Sequence, residues 1–326
     1  MKYKSAIYCA SATNVHYVYT EKQLSELAEI TDMLPGLYDN ADVESGKLAD
    51  VEILFSTWGI PAVTDDIVKK MPKLKAIFYA AGATDAFARP FIANGVHVVS
   101  AWRMNAIPVA EFCFGQIILA LKGYFRNIRE VRAVKQWQWG ANSNVFVGPG
   151  AYGERVALIG AGAISTLVQE RLKTLDVDVV VIPSRKENRT ISLEEAFRTS
   201  FVISNHLPNR GDNQKVIRRE HFESMRPGAV FINTGRGAQI DEEGMLDVFE
   251  KRRDLTALLD VTEPEPPSSE SRLYQLPNVL LSSHIAGSFN DEVHRMSDCV
   301  IKEFKRMLNG EPFLHEVQES MLLTAK

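Results

Sequence analysis

Cysteine is scarce and scattered: Cys9, Cys113 and Cys299 are the only three in 326 residues, and none belongs to a CxxC pair. That spacing excludes a disulfide framework and the paired ligands of a zinc site, no other metal site is indicated, and the chain fits a reducing cytoplasm. Charge of one sign is lacking as well. The 37 basic residues face 41 acidic ones for a net charge of -4, with no strongly basic stretch. Nucleic acid is therefore not an expected partner, and a small neutral or anionic ligand is. Long apolar runs are missing too. The longest, Val109 to Leu121, contains Glu111 and falls short of a bilayer's thickness, so no membrane segment is expected. The opening MKYKSAIYCASA sets lysines before small and apolar residues, but its apolar run is too brief for a secretory leader and reads as a first buried strand.

What is present is alternation. Short apolar runs alternate with amphipathic segments of helical length throughout, with no internal repeat, and 45% of the residues are hydrophobic. This pattern predicts parallel sheets covered by helices on both faces, and the length favours two domains. In the first third the strand candidates are Ala6 to Ala10, Val51 to Ser56, Leu74 to Ala80 and Val96 to Ala101, with a helix over Glu21 to Met33. A long helical region from Ile107 to about Val134 follows, then the loop QWQWGANSNVFVGPGAYGE, whose composition marks a boundary. From Glu154 onward six strands are expected: Val156 to Ile159, Asp178 to Ile182, Phe201 to Ser204, Ala229 to Asn233, Leu255 to Leu259 and Val279 to Ser282. Ser192 with Glu195 reads as a capping box, Asp241 opens a further helix, and the segment Phe289 to Leu308 is helical and returns to the first unit.

The stretch VALIGAGAIS, residues 156–165, raises the first chemical question. A dinucleotide turn is normally G-x-G-x-x-G between strand and helix, with an acid about 20 residues on. Gly160 permits the tight turn and Gly162 lets backbone approach a pyrophosphate. Ala163 and Ile164 then open a helix whose free amides and dipole favour the anion. Ser165 replaces the third glycine, a packing position. At the end of the next strand, PSRKE offers Ser184, Arg185 and Lys186 where a carboxylate would select NAD and repel a 2′-phosphate. The reading is a dinucleotide site that takes NADP or NAD, tilted toward NADP. Two other stretches lack their chemistry: GPGAYGER carries Glu154 where a phosphate loop needs lysine, and HEVQE at His315 lacks the second histidine of a zinc-protease helix.

Three strands run into polar groups: AVFIN into TGRG, LTALL into DVTEPEP, and VLLSS into HIAGS. Parallel strands place such ends along one edge, where ligands bind, so Arg236, Asp260, Glu265 and His284 converge. A histidine exchanges the proton of a carbinol, a neighbouring carboxylate favours its imidazolium, and an arginine fork holds a carboxylate beside a carbonyl. Those are the requirements of 2-oxo acid reduction.

On AAGATD, NAIPVAE, the glycine turn, NTGRGAQID, DVTEPEP and HIAGS, in that order over nearly the whole chain, the sequence resembles the D-isomer-specific 2-hydroxyacid dehydrogenases. The resemblance implies an α/β fold of two doubly wound parallel-sheet domains, a Rossmann cofactor domain over residues 102–287 and a smaller flavodoxin-like substrate domain over 1–101 and 288–326, with the site in the cleft between them. It implies that Arg236 binds the substrate's carboxylate and carbonyl, that Glu265 tunes His284, and that His284 is the acid/base. Asp260 would bind the nicotinamide amide with Thr234 beside the cofactor, and backbone amides of Ala81 and Gly82, with Asn105 nearby, would hold the substrate. Trp102 and Arg103 stand where the family has Pro-Gly, which bears on substrate shape. A cytoplasmic homodimer acting on a small 2-oxo or 2-hydroxy acid, of the glyoxylate/hydroxypyruvate reductase kind, is the expectation. The competing reading is a non-catalytic dinucleotide-binding sensor or corepressor of the same fold. A dehydrogenase of formate or an amino acid is a third, since fold alone does not set chemistry.

Overall fold

The computed structural model describes residues 2–322. Its contacts divide the chain into two compact units: residues up to Ala106 together with those from Ser288 onward, and Ile107–Gly287. The sequence-based boundary coincides with the start of helix Trp102–Leu121, whereas the contacts divide that helix after Ala106.

In the first unit β1 (Lys4–Tyr8), β2 (Asp32–Tyr38), β3 (Ile53–Ser56), β4 (Ala76–Tyr79) and β5 (His97–Ser100) form a wholly parallel sheet in the order β2-β1-β3-β4-β5. Side chains alternate across it as a pleat requires. Ala6, Tyr8, Leu54, Ile77 and Tyr79 join one buried cluster, while Ile7, Ile53, Phe55, Ala76 and Phe78 join another on the opposite face. Helix His294–Leu308 closes that second face, with the Phe304 ring 5.4 Å from Phe55 and 5.5 Å from Phe78. The C-terminal helix thus groups with this unit. Strand β2 was not expected. Its sequence DMLPGLY carries Pro35 and Gly36, residues that weaken a strand reading, and it is tolerated because β2 lies at the sheet edge. The preceding helix stops at Ile30, short of the Met33 anticipated.

In the second unit β6 (Arg155–Ile159), β7 (Asp178–Ile182), β8 (Val202–Asn205), β9 (Val230–Asn233), β10 (Thr256–Leu259) and β11 (Val279–Leu281) are again all parallel, ordered β11-β10-β9-β8-β6-β7. The strand order reverses between β6 and β8, the kind of switch point at which ligands bind. Phe222 lies at the centre of an aromatic cluster, with ring centroids 5.1 Å from Phe231, 5.7 Å from Phe197 and 5.9 Å from Phe249. Asn278 donates its side-chain amide to the carbonyls of Phe249, Arg252 and Leu255, which ties the helix end before β10 to the start of β11.

The helical region expected from Ile107 to Val134 is broken into Trp102–Leu121 and Tyr124–Val134. The break is at Gly123, with φ +73° and Gly148 N so close that a Cβ would lie 2.5 Å from it. By length and composition Trp102–Leu121 could cross a bilayer. Val109, Ala110, Cys113, Ile117, Ala120 and Leu121 on this helix are instead buried in the second unit's core. Burial raises the thiols of Cys113 and Cys299 to about 12, which leaves them protonated. Of the expected capping box at Ser192 only half forms: its hydroxyl accepts from Glu195 N at 3.0 Å. Asp241 caps its helix as anticipated, accepting from Gly244 N.

Candidate active site

The glycine turn follows β6. Gly160 has φ +110°, and a Cβ there would lie 2.5 Å from the His206 carbonyl oxygen, so only glycine lets the turn rest on the end of β8. Gly162 differs, since nothing lies within 4 Å of where its Cβ would be. It caps helix Ala163–Leu172 without a side-chain hydrogen bond, which leaves the first-turn amides, including Ala163 and Ile164, to a ligand. Ser165 is wholly buried and its hydroxyl meets Gln169, so a small polar residue fills the packing role of a third glycine. These residues fit a dinucleotide pyrophosphate.

Beyond β7 the chain passes through Pro183 and Ser184 into a short 3-10 turn, Lys186–Asn188. Arg185 and Lys186 are exposed and form no ion pair among the described residues. The carbonyls of Pro183 and Ser184 are held by the guanidinium of Arg189, at 2.8 and 3.0 Å. Arg189 went unnoticed in the sequence because a charged residue in a loop ordinarily faces solvent. It adds a third cation to this strand end.

Farther along the same edge, Glu265 and His284 meet: Nδ1 of the imidazole lies 2.5 Å from Glu265 Oε1. A carboxylate only accepts, so Nδ1 carries the proton and Nε2 is left to exchange one with a ligand. His284 has φ +58°, a conformation that a non-glycine residue rarely adopts and that marks a functional constraint. Asp260, at the end of β10, bonds the chain on both sides of His284. Asp260 Oδ1 accepts from Ser282 Oγ at 2.6 Å and Ile285 N at 2.9 Å, and Oδ2 accepts from Ala286 N at 2.9 Å. The carboxylate thereby braces both flanks of His284, a role the sequence did not disclose. Asp260, Thr262, Glu265 and His284 line one cavity of about 740 Å³, walled by Pro266, Pro267 and Tyr274.

Arg236 is not among that cavity's lining residues, and its Nη1 donates to the Gly235 carbonyl at 2.8 Å. Its neighbour Gly237 packs directly on the Thr262 carbonyl, where no Cβ would fit, so the NTGRG turn abuts the segment carrying Glu265. Thr234 is buried, with its hydroxyl 3.2 Å from the Cys113 sulfur. In the first unit, Ser100 Oγ donates to the carbonyls of both Ala81 and Gly82 at 2.9 Å, and the amides of Ala81 and Gly82 have no partner among the described residues. Asn105 is the nearest side chain to Gly82 and accepts from Ser288 N at 3.0 Å.

Known proteins resemble this chain in sequence and in fold. Residues 115–286 match the family model described as D-isomer specific 2-hydroxyacid dehydrogenase, NAD binding domain. The chain is 28% identical to D-3-phosphoglycerate dehydrogenase of Methanocaldococcus jannaschii over 89% of its own length and 55% of that protein's, so it spans about half of that relative. It is 29% identical to hydroxypyruvate reductase of Thermotoga maritima over 75% of this chain and 81% of the other. Among solved structures, a phosphoglycerate oxidoreductase from Rhizobium etli aligns with a TM-score of 0.80 at 18% identity, covering 99% of this chain and 100% of that one, a likeness of fold.

His206 follows β8 beside the glycine turn, and neither ring nitrogen has a partner among the described residues. Burial lowers its pKa from 6.5 to about 4, so the ring is neutral at pH 7. The unfolded chain takes up that proton near pH 6.5 and the fold only near 4. Stability tied to His206 is therefore whole above pH 6.5 and lost as pH falls toward 4, by about 3 kcal/mol at most. His206→Leu keeps the backbone contacts and should flatten urea-unfolding free energies across that window. An unchanged slope would exclude His206 as its source.

Proposed function

The chain belongs to the D-isomer specific 2-hydroxyacid dehydrogenase family, and from that membership and the site's geometry we propose that it is an oxidoreductase that moves a hydride between a nicotinamide cofactor and a small 2-oxo or 2-hydroxy acid. The observation that carries the reading is the Glu265–His284 pair at 2.5 Å, on a backbone held at φ +58° beside the cavity. When bound, the dinucleotide supplies the hydride chemistry. The chain supplies the rest. Nε2 of His284 gives a proton to the carbonyl oxygen during reduction and receives it during oxidation, and Glu265 orients the ring through Nδ1. Arg236 holds the carboxylate through its planar fork. The intact acid/base pair favours this reading over a sensor or corepressor, and turnover with any 2-oxo acid separates the two. His284→Ala should lower kcat by about 100-fold to 10,000-fold with cofactor affinity kept. Unchanged kcat removes His284 from the chemistry.

The cofactor we propose is NADP in preference to NAD. Support comes from Ser184, Arg185 and Lys186 at the end of β7, with both cations exposed and free of carboxylate partners among the described residues. Arg185→Ala should weaken NADPH by about 1 to 3 kcal/mol and leave NADH nearly unchanged. The wild-type preference should shrink as salt rises, because the contact is exposed. Equal losses for both cofactors in a fluorescence titration would show that these side chains do not read the ribose.

We also propose that the protein works in the cytoplasm as a homodimer joined through the second unit. Helix Tyr124–Val134 has no buried residue, and the segment after it exposes Trp137, Trp139, Val147 and Tyr152, an apolar surface of the kind that partners cover. Sedimentation should give twice the 36.5 kDa of the chain, and Trp139→Glu should shift it toward one chain. A wild-type monomer at micromolar concentration overturns this.

A further inference from the structure

Three side-chain amides are buried at the ends of β8 and β9, and the proposed chemistry uses none of them. Asn205 and Asn233 are paired residues of these adjacent strands, and Gln239 lies in the turn that follows β9. A buried amide is unfavourable unless its hydrogen bonds are made, and here they are made to one another and to two stretches of functional backbone. Asn205 Nδ2 donates to Asn233 Oδ1 at 2.8 Å and to Gln239 Oε1 at 2.7 Å.

On one side this network holds Arg236. Its amide donates to Gln239 Oε1 at 3.1 Å, and its carbonyl accepts from Asn233 Nδ2 at 3.2 Å. Both backbone groups of Arg236 are thus bonded to amide side chains, one at the end of β9 and one within its own turn. On the other side the network holds the strand end beneath the glycine turn. Gln239 Nε2 donates to the carbonyls of Leu207 and Pro208, each at 2.9 Å, and Asn205 Oδ1 accepts from Leu207 N at 3.2 Å. The backbone of His206 and Leu207 is what Gly160 rests on, and His206 N donates to Ile159 O at 2.7 Å. Gln239 therefore stands between the two: Nε2 grips the floor of the glycine turn and Oε1 grips the Arg236 amide.

We infer that Gln239, held by Asn205, is a positioning residue that couples the glycine turn to Arg236, so that filling the turn with the adenosine-diphosphate half of a dinucleotide tightens binding of a 2-oxo acid. An anion on the turn restricts residues 206–208, Gln239 passes that restriction to Arg236, and the substrate then meets a guanidinium already ordered. The inference rests on the reading of Arg236 as the carboxylate anchor.

The test uses the full chain with oxamate, a non-reducible 2-oxo acid mimic, titrated calorimetrically with and without saturating ADP-ribose. ADP-ribose carries the pyrophosphate and lacks the nicotinamide ring, so no contact between the two ligands' reacting ends contributes. The wild type should bind oxamate about five-fold or more tightly when ADP-ribose is present, the lower end of ordinary coupling. Equal affinities overturn the inference, and this arm needs no variant. Gln239→Met should keep ADP-ribose affinity, raise KM for the oxo acid and bring the coupling ratio close to one; a ratio kept at the wild-type value also overturns it. A lower melting temperature in that variant is compatible with any structural role, but loss of the ratio is not. Arg236→Lys separates the two levels. If it leaves oxamate binding unchanged, Arg236 is not the anchor and the underlying reading fails together with the inference. If it weakens oxamate while the wild-type ratio is one, the inference alone fails.

Discussion

Every strand pair in both sheets runs parallel, and the placement of the chemistry depends on that constraint. Parallel strands need a crossover after each one, so all their carboxyl ends emerge at one edge. In the second unit these ends supply Gly160, Ser184, His206, Arg236, Asp260 and the 282–286 loop in turn. Residues separated by more than a hundred positions become neighbours along a single line. No loop has to travel far to bring them there.

Within that line the geometry is hierarchical. The Asp260 carboxylate does not stand alone as a ligand group, because its oxygens already bind one hydroxyl and two amides of the loop from Ser282 to Ala286. Those bonds hold the loop, the loop holds His284 in a left-handed conformation, and that conformation brings Nδ1 to Glu265. The side chain read from sequence as a cofactor contact is also a brace for this loop.

How much of this was legible in the sequence depended on whether the signal was local. Runs such as VALI, DVVVI and AVFIN announce buried strands by themselves, and the motifs at strand ends carry Glu265, His284, Arg236 and the glycine turn. Strand β2 was hidden because Pro35 and Gly36 are admissible only at an edge, and edge position is a property of the finished sheet. The break at Gly123 was hidden because the backbone that crowds it lies 25 residues on, at Gly148. Arg189 and Asn205 belong to no motif, and Gln239 sits inside NTGRGAQID with nothing in that motif to mark its role. The one local hint was a pair of amides in apolar surroundings, in VISN and in RGAQID, and only the pairing of β8 with β9 shows that they meet.

The glycines of the site differ in what requires them. Gly160 and Gly237 are demanded by neighbouring backbone, at His206 and at Thr262, whether or not any ligand is present. Gly162 faces open space, and nothing in the chain itself opposes a side chain there. A library of variants selected only for folding would therefore retain the first two and let the third drift, whereas selection for dinucleotide binding would hold all three. The difference between those two substitution spectra would separate the share of the motif that belongs to architecture from the share that belongs to the ligand.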